Sequence, residues 1–373
     1  NQGMSMDKGI RSWVPCWLML IILLGMPLTN LVDEPNKTLS QFDDQPVSTR
    51  AQTTWSGVIE LTNSYTVNVS DELIITPCTV VKLPNAARIF VDGRILVQGD
   101  ASCSVTLDRV NTGLHYGLQF NQSSYGRGSV IDNLTIENSM YGITVYGSNP
   151  QLNNVTVVNP SRVGVDLFSN ANPTIQDLLV DQSGRGFSYT DWRFGIGLSV
   201  GAGSAPIVER AVLTDARIRG LNIWGDSGGI YRQITIDNIT AEGALAISAG
   251  VWVEDSRPLI TNVSVDKSDY GILIRHIDDG GYTRAVVRDC LVTNSMYRGI
   301  YIDKANHTNF TNYESADFTN TVVRGTGGPN AKTSNIGFAA IEVNATGAWF
   351  ENTIIEESTT VGLRLYFVDS STT

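Results

Sequence analysis

Gly142-Ile143-Thr144-Val145 and, 22 residues later, Gly164-Val165-Asp166-Leu167 decide the fold of this chain. Each phrase is a glycine, an apolar residue, a residue of any type and a second apolar residue. The phrase recurs at spacings of 21 to 41 residues, and a recurrence of this size indicates a stacked-repeat architecture. The phrases begin at Gly117, Gly142, Gly164, Gly195, Gly220, Gly250, Gly271, Gly299, Ala340 and Gly362.

The glycine phrases have the period of a β-strand, because apolar and other residues alternate within them. A second alternating stretch precedes many of them, as in Ile131–Ile136 and Leu152–Val157. Between these stretches the chain is rich in Gly, Asn, Asp, Ser and Pro, which favour turns. No helical period is sustained within the repeats. The sequence therefore predicts an all-β fold, a parallel β-helix of about ten or more coils.

A second repeating feature is an Asn or Asp at one register of the preceding stretch. Stacked at the strand spacing of ~4.8 Å, such side chains can form hydrogen bonds along the solenoid axis. Arg210 and Gln233 occupy the same register and interrupt the predicted column. Its members are Asn133, Asn154, Asp177, Asn262, Asp289, Asn320 and Asn352.

From Trp55 onward the repeat resembles the right-handed parallel β-helix proteins of the pectate-lyase-like superfold. The resemblance includes an opening of the type found in exported members, at Trp55–Ile59, Leu73–Val81 and Ile89–Ile95. It implies a right-handed solenoid over residues 55–373, and we expect further coils beyond residue 373 because no capping element follows the last phrase. This superfold serves catalysis, adhesion and scaffolding alike, so the resemblance implies a fold without a particular activity.

The N-terminal region has the charge pattern of an export signal. Lys8 and Arg11 precede an apolar run at 13–26, and Asp33 and Glu34 follow; the segment 13–32 is 20 residues long, enough to span a bilayer. Residues 1–32 are therefore predicted to be a signal peptide or a retained signal anchor, and both alternatives stay open. Residues 33–54 are polar and predicted to be a flexible spacer. We expect an extracytoplasmic protein, secreted or anchored at the cell surface, with membrane contact only through its N-terminal segment.

An exported chain can form disulfides and can be N-glycosylated. Cys78 and Cys103 lie 25 residues apart, one coil, so a disulfide between neighbouring rungs is favoured over two separate buried thiols. Cys290 is expected to be a small buried apolar residue. The favoured N-glycosylation candidates lie in the spacer or in apparent loops. They are Asn36, Asn68, Asn121, Asn306 and Asn309.

The alternation also assigns the outward positions of each glycine phrase. Between Gly220 and Gly299 these positions bring aromatic rings beside charged groups, as a saccharide-binding surface requires. The same alternation of charges is also expected of cross-strand ion pairs on an ordinary protein surface. Carbohydrate-binding candidates are Trp224, Trp252 and Tyr301, and catalytic candidates are Glu254, Arg275 and Asp303.

An enzymatic alternative uses the same positions. Two rungs separate Glu254 from Asp303, about 9.6 Å at ~4.8 Å per rung, which is near the carboxyl separation of inverting glycosidases. For a lyase, Arg275 or Lys304 would act, with calcium held by Asp278 and Asp279. The chain lacks the paired-Asp, Gly-His and Arg-x-Lys elements of polygalacturonases, which disfavours catalysis.

Charge narrows the choice of partner. The net charge of −11 and pI of about 4.8 disfavour nucleic acid and, without bridging calcium, polyanionic sugars. The three histidines, His115, His276 and His307, do not cluster, which disfavours a histidine metal site; no cofactor is predicted, with bound calcium as the alternative. We therefore predict an adhesion, envelope or glycan-binding module without catalysis, whose partner is a polysaccharide, another glycan or a surface protein. The alternatives are a polysaccharide hydrolase or lyase and, second, a rigid structural spacer.

Overall fold

The structure is a computed structural model of the chain. It describes residues 50–185, 194–241, 247–277, 283–304, 316–327, 339–344, 348–359 and 361–366. Over these ranges the chain is a parallel β-helix, in which strands of successive coils pair in parallel in two long sheets. One 3₁₀ turn, Gln122–Ser124, interrupts the β-structure of the described residues.

The first sheet has 18 strands in two ladders that run side by side. The ladders merge in one long strand at Val130–Glu137, whose two halves pair with different strands of the preceding coil. They separate again after Ser268. The strands are β1 (Ala51–Trp55), β2 (Val58–Glu60), β4 (Asp71–Ile75), β5 (Val80–Leu83), β7 (Arg94–Gln98), β8 (Val105–Arg109), β10 (Val130–Glu137), β12 (Gln151–Val158), β14 (Thr174–Asp181), β16 (Ile207–Thr214), β18 (Ile230–Ile239), β20 (Leu259–Ser268), β22 (Val286–Arg288), β23 (Leu291–Thr293), β25 (Asp317–Thr319), β26 (Val322–Arg324), β28 (Trp349–Glu351) and β29 (Ile354–Glu356).

The second sheet has 12 strands and contains the glycine phrases. Their apolar residues point inward and are buried, except Leu363 and Leu365 of the last phrase, which are exposed; the core runs along the axis between the sheets. The strands are β3 (Tyr65–Val67), β6 (Ile89–Val91), β9 (Leu118–Phe120), β11 (Tyr141–Tyr146), β13 (Val163–Phe168), β15 (Ile196–Val200), β17 (Arg219–Trp224), β19 (Ala249–Glu254), β21 (Tyr270–His276), β24 (Arg298–Lys304), β27 (Ala339–Asn344) and β30 (Val361–Leu365).

The glycine of the phrase is required by two neighbours, a branched side chain of the first sheet and the backbone carbonyl of the next coil; at Gly142 that carbonyl, of Gly164, lies 2.5 Å from the β-carbon position. A β-carbon at Gly142 would lie 2.6 Å from Cγ1 of Val157, and one at Gly250 would lie 2.2 Å from Cγ1 of Val265. Because real β-carbons do not approach other atoms so closely, only glycine fits at these positions. The same contact recurs at Gly164, Gly220, Gly271 and Gly299.

The Asn/Asp register is a corner of the coil. Asn133 has φ of 50°, in the left-handed region, and β10 bends there because the residue takes no part in strand pairing. Asn tolerates this conformation better than most residues. Arg210 and Gln233 adopt it too, with φ of 55° at both. The left-handed corner therefore continues through Arg210 and Gln233, where the sequence predicted an interruption.

Hydrogen bonds run along this column as the sequence predicts. Asn133 Nδ2 donates to the Gly99 carbonyl at 2.8 Å, and Asn154 donates to Asn133 Oδ1. Arg210 joins the column through two hydrogen bonds to the Asp177 carboxylate, at 2.6 and 3.0 Å. An arginine therefore replaces the amide at this rung.

The beginning of the fold differs slightly from the sequence prediction. Strand β1 begins at Ala51, inside the predicted spacer, and pairs with β4. Its first four residues are exposed, so they leave no hydrophobic signal in the sequence. Cys78 and Cys103 form a disulfide with a Cα separation of 5.0 Å, and Cys290 is buried. Among the described residues, no helix is long and apolar enough to span a bilayer; the apolar segment at 13–32 lies outside them.

The corner conformation gives a prediction for Asn133. We expect Asn133→Ala to lower the free energy of unfolding by about 1–2 kcal/mol more than Asn133→Gly, because alanine is strained in the left-handed region. The measurement is urea-induced unfolding of both variants.

Asn153 is the matched control. It forms a comparable hydrogen bond to Asp132 Oδ1, at 2.8 Å, but is not among the residues with positive φ. There the order should reverse, with glycine costing more than alanine. The same order at both positions would contradict the assignment of a strained corner.

Candidate functional site

The outward face of the second sheet carries its side chains in rows, because equivalent residues of successive strands pair in register. We call the row between the two apolar residues of each phrase the middle row. It includes Thr144, Asp166, Ser199, Asn222, Trp252, Leu273, Tyr301 and Glu342. Ser199 belongs to it because Asp166 pairs with Ser199, so the phrase on β15 begins at Gly197, and the prediction that it begins at Gly195 is wrong by two residues. The row two residues further along each strand is the edge row. It includes Tyr146, Phe168, Gly201, Trp224, Glu254, Arg275, Asp303 and Asn344.

The three catalytic candidates occupy consecutive rungs of the edge row. Glu254 pairs with Arg275, and Arg275 pairs with Asp303. The side chains of Glu254 and Arg275 are about a quarter exposed, and Arg275 Nε lies 3.9 Å from Glu254 Oε2. Asn344 Nδ2 donates to Asp303 Oδ1 at 3.3 Å. The structure therefore brings these groups together in a partly exposed line of alternating charge.

Trp252 is not the exposed ring that the alternation predicts. Only 4% of the residue is exposed. The guanidinium carbon of Arg219, on the preceding rung, lies 3.8 Å from its ring centroid, and that of Arg275, on the following rung, lies 5.3 Å away. Its Nε1 donates to Glu254 Oε2 at 3.1 Å. Trp252 thus supports the charged line from beneath, with little surface for a sugar ring.

Arg219 is itself buried beside the middle row. Its Nη1 donates to Asn222 Oδ1 at 2.6 Å. Burial lowers the pKa of Arg219 to about 10, partly offset by the negative charge of Glu254. At neutral pH the guanidinium keeps its charge, so its attraction to the Trp252 ring persists.

The remaining aromatic candidates lie on either side of Trp252. Tyr301 is partly buried and follows Leu273 in the middle row; burial raises its pKa to about 12, with the Asp303 carboxylate adding to the shift. Arg298 lies 4.6 Å from the Tyr301 ring centroid and makes two hydrogen bonds, of 2.8 and 3.0 Å, to Glu342. Tyr301 is therefore part of a packed ion-pair cluster.

Trp224 occupies the edge row and is only partly buried. Its ring lies over Gly201 of the preceding rung, where a β-carbon would come within 2.2 Å of Trp224 Cε2. The missing side chain at Gly201 therefore makes room for the ring. Of the three aromatic candidates, Trp224 has the position that best suits stacking against a ligand.

Sequence reasoning did not select three further residues of this face. Tyr146 and Phe168 continue the edge row, and Asp166 lies beside them in the middle row. The register that identified the other candidates also placed these residues outward. Alternating charges identified Glu254, Arg275 and Asp303 as candidates, and the rungs of these three further residues carry no such alternation.

Asp166 is a carboxyl group whose pKa is raised by its surroundings. Burial raises its pKa from 3.8 to about 6, against the opposing effect of a hydrogen bond with Ser199. Thr144 and Ser199 pair with it on the two neighbouring rungs, and both are buried. A carboxyl group of this kind can accept hydrogen bonds when ionised and donate one when protonated.

The other predicted sites have mixed outcomes. Asp278, Asp279, Asn36, Asn306 and Asn309 lie outside the described residues. Within the described part of the chain, no group of three or more His, Cys, Asp or Glu residues can hold a metal ion.

Two glycosylation candidates can be placed. Asn68 is exposed, and its Nδ2 donates to Asp71 Oδ2 at 2.7 Å. Asn121 is partly buried, and both polar atoms of its side chain are bonded, to Asp92 at 3.0 Å and to Gln119 at 2.7 Å. Of these two positions, Asn68 is the more accessible to a modifying enzyme.

Comparison with known proteins supports the fold. Residues 93–241 match the family model of the right handed beta helix region. Together with the pairing described above, the match identifies a right-handed parallel β-helix. A search of the curated proteins found no match.

Several solved structures are similar to this chain at low identity. The catalytic domain of a GH87 α-1,3-glucanase in complex with nigerose is 13% identical, with a TM-score of 0.45; the match covers 86% of this chain and 63% of that one. A periplasmic alginate epimerase is 10% identical, with a TM-score of 0.42 and coverages of 80% and 76%. An endo-xylogalacturonan hydrolase from Aspergillus tubingensis is 11% identical, with a TM-score of 0.43 and coverages of 87% and 90%. At these scores the similarities say nothing about the ligand of this chain.

The contact between Gly201 and Trp224 can be tested by substitution. We expect Gly201→Ala to cost about 1–3 kcal/mol of unfolding free energy, because the new methyl group displaces the ring. Gly228→Ala is the control, since the nearest atom to its β-carbon outside the adjoining residues would be the Arg257 carbonyl oxygen, at 3.5 Å. In a Trp224→Ala background, Gly201→Ala should cost little. An equal cost in both backgrounds would show that the ring is not what excludes a side chain.

The raised pKa of Asp166 predicts a pH dependence of stability. Between about pH 4 and pH 6 the folded state holds a proton that the unfolded state has lost, so stability from this group falls as pH rises through this window. The measurement is the free energy of unfolding against pH for the wild type and Asp166→Asn. As pH rises through this range, the free energy of unfolding of Asp166→Asn should increase relative to that of the wild type. Above the range, the difference between the two free energies should stay constant. A constant difference from pH 4 to pH 8 would contradict the raised pKa.

Proposed function

We propose that this chain is an exported β-helix protein that binds a polysaccharide along the edge row of the second sheet, without cleaving it. The observation that carries the proposal is the line formed by Trp224, Glu254, Arg275 and Asp303 on four successive rungs. An aromatic ring and charged hydrogen-bonding groups in one partly exposed line suit a sugar chain, whose rings stack and whose hydroxyls bond.

The local contacts favour binding over catalysis. Glu254 accepts a hydrogen bond from Trp252 Nε1, and Arg275 lies between the two carboxylates in the register. Groups held in this way are preorganised to receive hydroxyls, since little side-chain entropy is lost on binding. Neutral glycans are the preferred ligands because the chain is acidic overall.

Export is part of the proposal and has two supports. The segment at 13–32 has the composition of a signal or anchor. The disulfide between Cys78 and Cys103 is of a kind that persists in oxidising compartments.

A hydrolase is the second candidate, favoured by one observation. Glu254 and Asp303 are two rungs apart on the same face, about 9.6 Å at the usual strand spacing. This separation is close to the carboxyl spacing of inverting glycosidases. In this reading one carboxyl group protonates the glycosidic oxygen and the other takes a proton from the attacking water.

A binding screen with matched variants tests the proposal. The wild type is titrated with neutral and uronic-acid polysaccharides, and the bound ligand is then tested against Glu254→Gln, Arg275→Ala and Asp303→Asn. Each variant should bind about tenfold more weakly, because hydrogen bonds to charged groups are lost. Glu209→Gln is the control; Glu209 is exposed on the first sheet, 3.4 Å from Arg232.

Two results would overturn the proposal. One is the absence of binding to every glycan in the screen, and the other is equal binding by all four variants. Release of reducing ends by the wild type, lost in Glu254→Gln or Asp303→Asn, would establish the hydrolase instead.

A further inference from the structure

The edge row continues past Trp224 toward the N-terminus as an aromatic strip. Tyr146 is 40% exposed, and its ring meets that of Phe168 edge to face, with centroids 5.1 Å apart and planes at 72°. Such a contact holds the Tyr146 ring in place. At the next rung, Gly201 contributes no side chain, and the Trp224 ring fills its position. The row therefore passes from Tyr146 to Asp303 without a bare rung.

The strip has polar groups beside it on the same face. Asp166 is two residues before Phe168 on β13, so both side chains point outward. Asp166 is partly exposed, and Thr144 and Ser199 flank it. An aromatic ring next to a carboxyl group can bind a sugar, because the aromatic ring stacks on the apolar face of the sugar and the carboxyl group forms hydrogen bonds with its hydroxyls.

We propose that Tyr146, Phe168 and Asp166 form a second subsite for the same polysaccharide, so that the bound chain runs along the edge row from Tyr146 to Asp303. This inference rests on the proposed function. Six rung spacings separate β11 from β24 along the second sheet, about 29 Å at ~4.8 Å each. A ligand that reaches both ends is an oligosaccharide and not a single sugar.

The subsite also specifies the chemical class of the ligand. Above about pH 6 Asp166 is ionised, and its charge disfavours a uronate carboxylate close by. Neither Tyr146 nor Phe168 offers a compensating positive charge. The proposed subsite therefore favours uncharged sugars over uronates.

Chain length and substitution test the subsite together. Neutral oligosaccharides of increasing length, prepared from a polysaccharide that the wild type binds, are titrated into the wild type, Tyr146→Ala, Tyr146→Phe and Glu254→Gln. Affinity should rise with length in the wild type. Tyr146→Ala should lose about tenfold for long chains and nothing for short ones, while Tyr146→Phe keeps the ring and the affinity. Tyr125→Ala is the control, since Tyr125 is exposed outside the edge row.

The outcomes separate the subsite from the proposed function. Length-independent affinity, or undiminished binding of long chains by Tyr146→Ala, would overturn the subsite, even if Glu254→Gln weakens chains of every length. Failure of the wild type to bind any glycan would overturn the proposed function and the subsite with it. Asp166→Asn adds a readout: at pH 7.5 it should improve binding of uronate-containing chains, and unchanged discrimination against uronates would contradict the role of Asp166.

Discussion

The contact between a phrase glycine and a branched side chain of the first sheet is the constraint on which the rest of the structure depends. At Gly142, Gly164 and Gly250 no β-carbon fits, because Val157, Val180 and Val265 already occupy the space. The two sheets can approach there only if the glycine is kept. The approach repeats at most coils, and successive strands of the second sheet pair in one register. Rows of outward side chains follow from that register.

A fixed register makes each outward position a row with its own environment. In the middle row, Asn222, Trp252 and Glu342 are buried, and arginines contact their polar atoms or rings. In the edge row, Tyr146 and Glu254 keep part of their surface accessible. Ligand contact is therefore assigned to the edge row and its support to the middle row. This division follows from solvent access and not from residue type.

The sequence predicted the fold well because its signals are local. Alternation identified strands, the glycine spacing identified coils, and the register placed Glu254, Arg275 and Asp303 on consecutive rungs as found. Burial of Trp252 was not predictable in this way. Alternation tells which face a residue is on, whereas burial on that face depends on neighbours such as Arg219 from another coil.

Backbone conformation set a second limit on what could be read from the sequence. Asn and Asp signal a corner, but Arg210 adopts the same left-handed φ and has no such preference, so its role is visible only in the structure. Strand β1 has no hydrophobic pattern in the sequence, because its first four residues are exposed and it is held by backbone pairing with β4. Tyr146, Phe168 and Asp166 were on the correct face by register, but only their exposure, contacts and pKa distinguish them.

The most direct measurement is an NMR titration that follows the indole N–H resonances as a bound oligosaccharide is added. The indoles report from different surfaces: Trp224 and Trp252 lie in the second sheet, whereas Trp55 and Trp349 lie in the first. Ligand along the edge row should shift the Trp224 resonance, and that of Trp252 through its hydrogen bond to Glu254, while leaving the other two unchanged. Saturation that shifts Trp55 or Trp349 and leaves Trp224 and Trp252 unmoved would contradict the account.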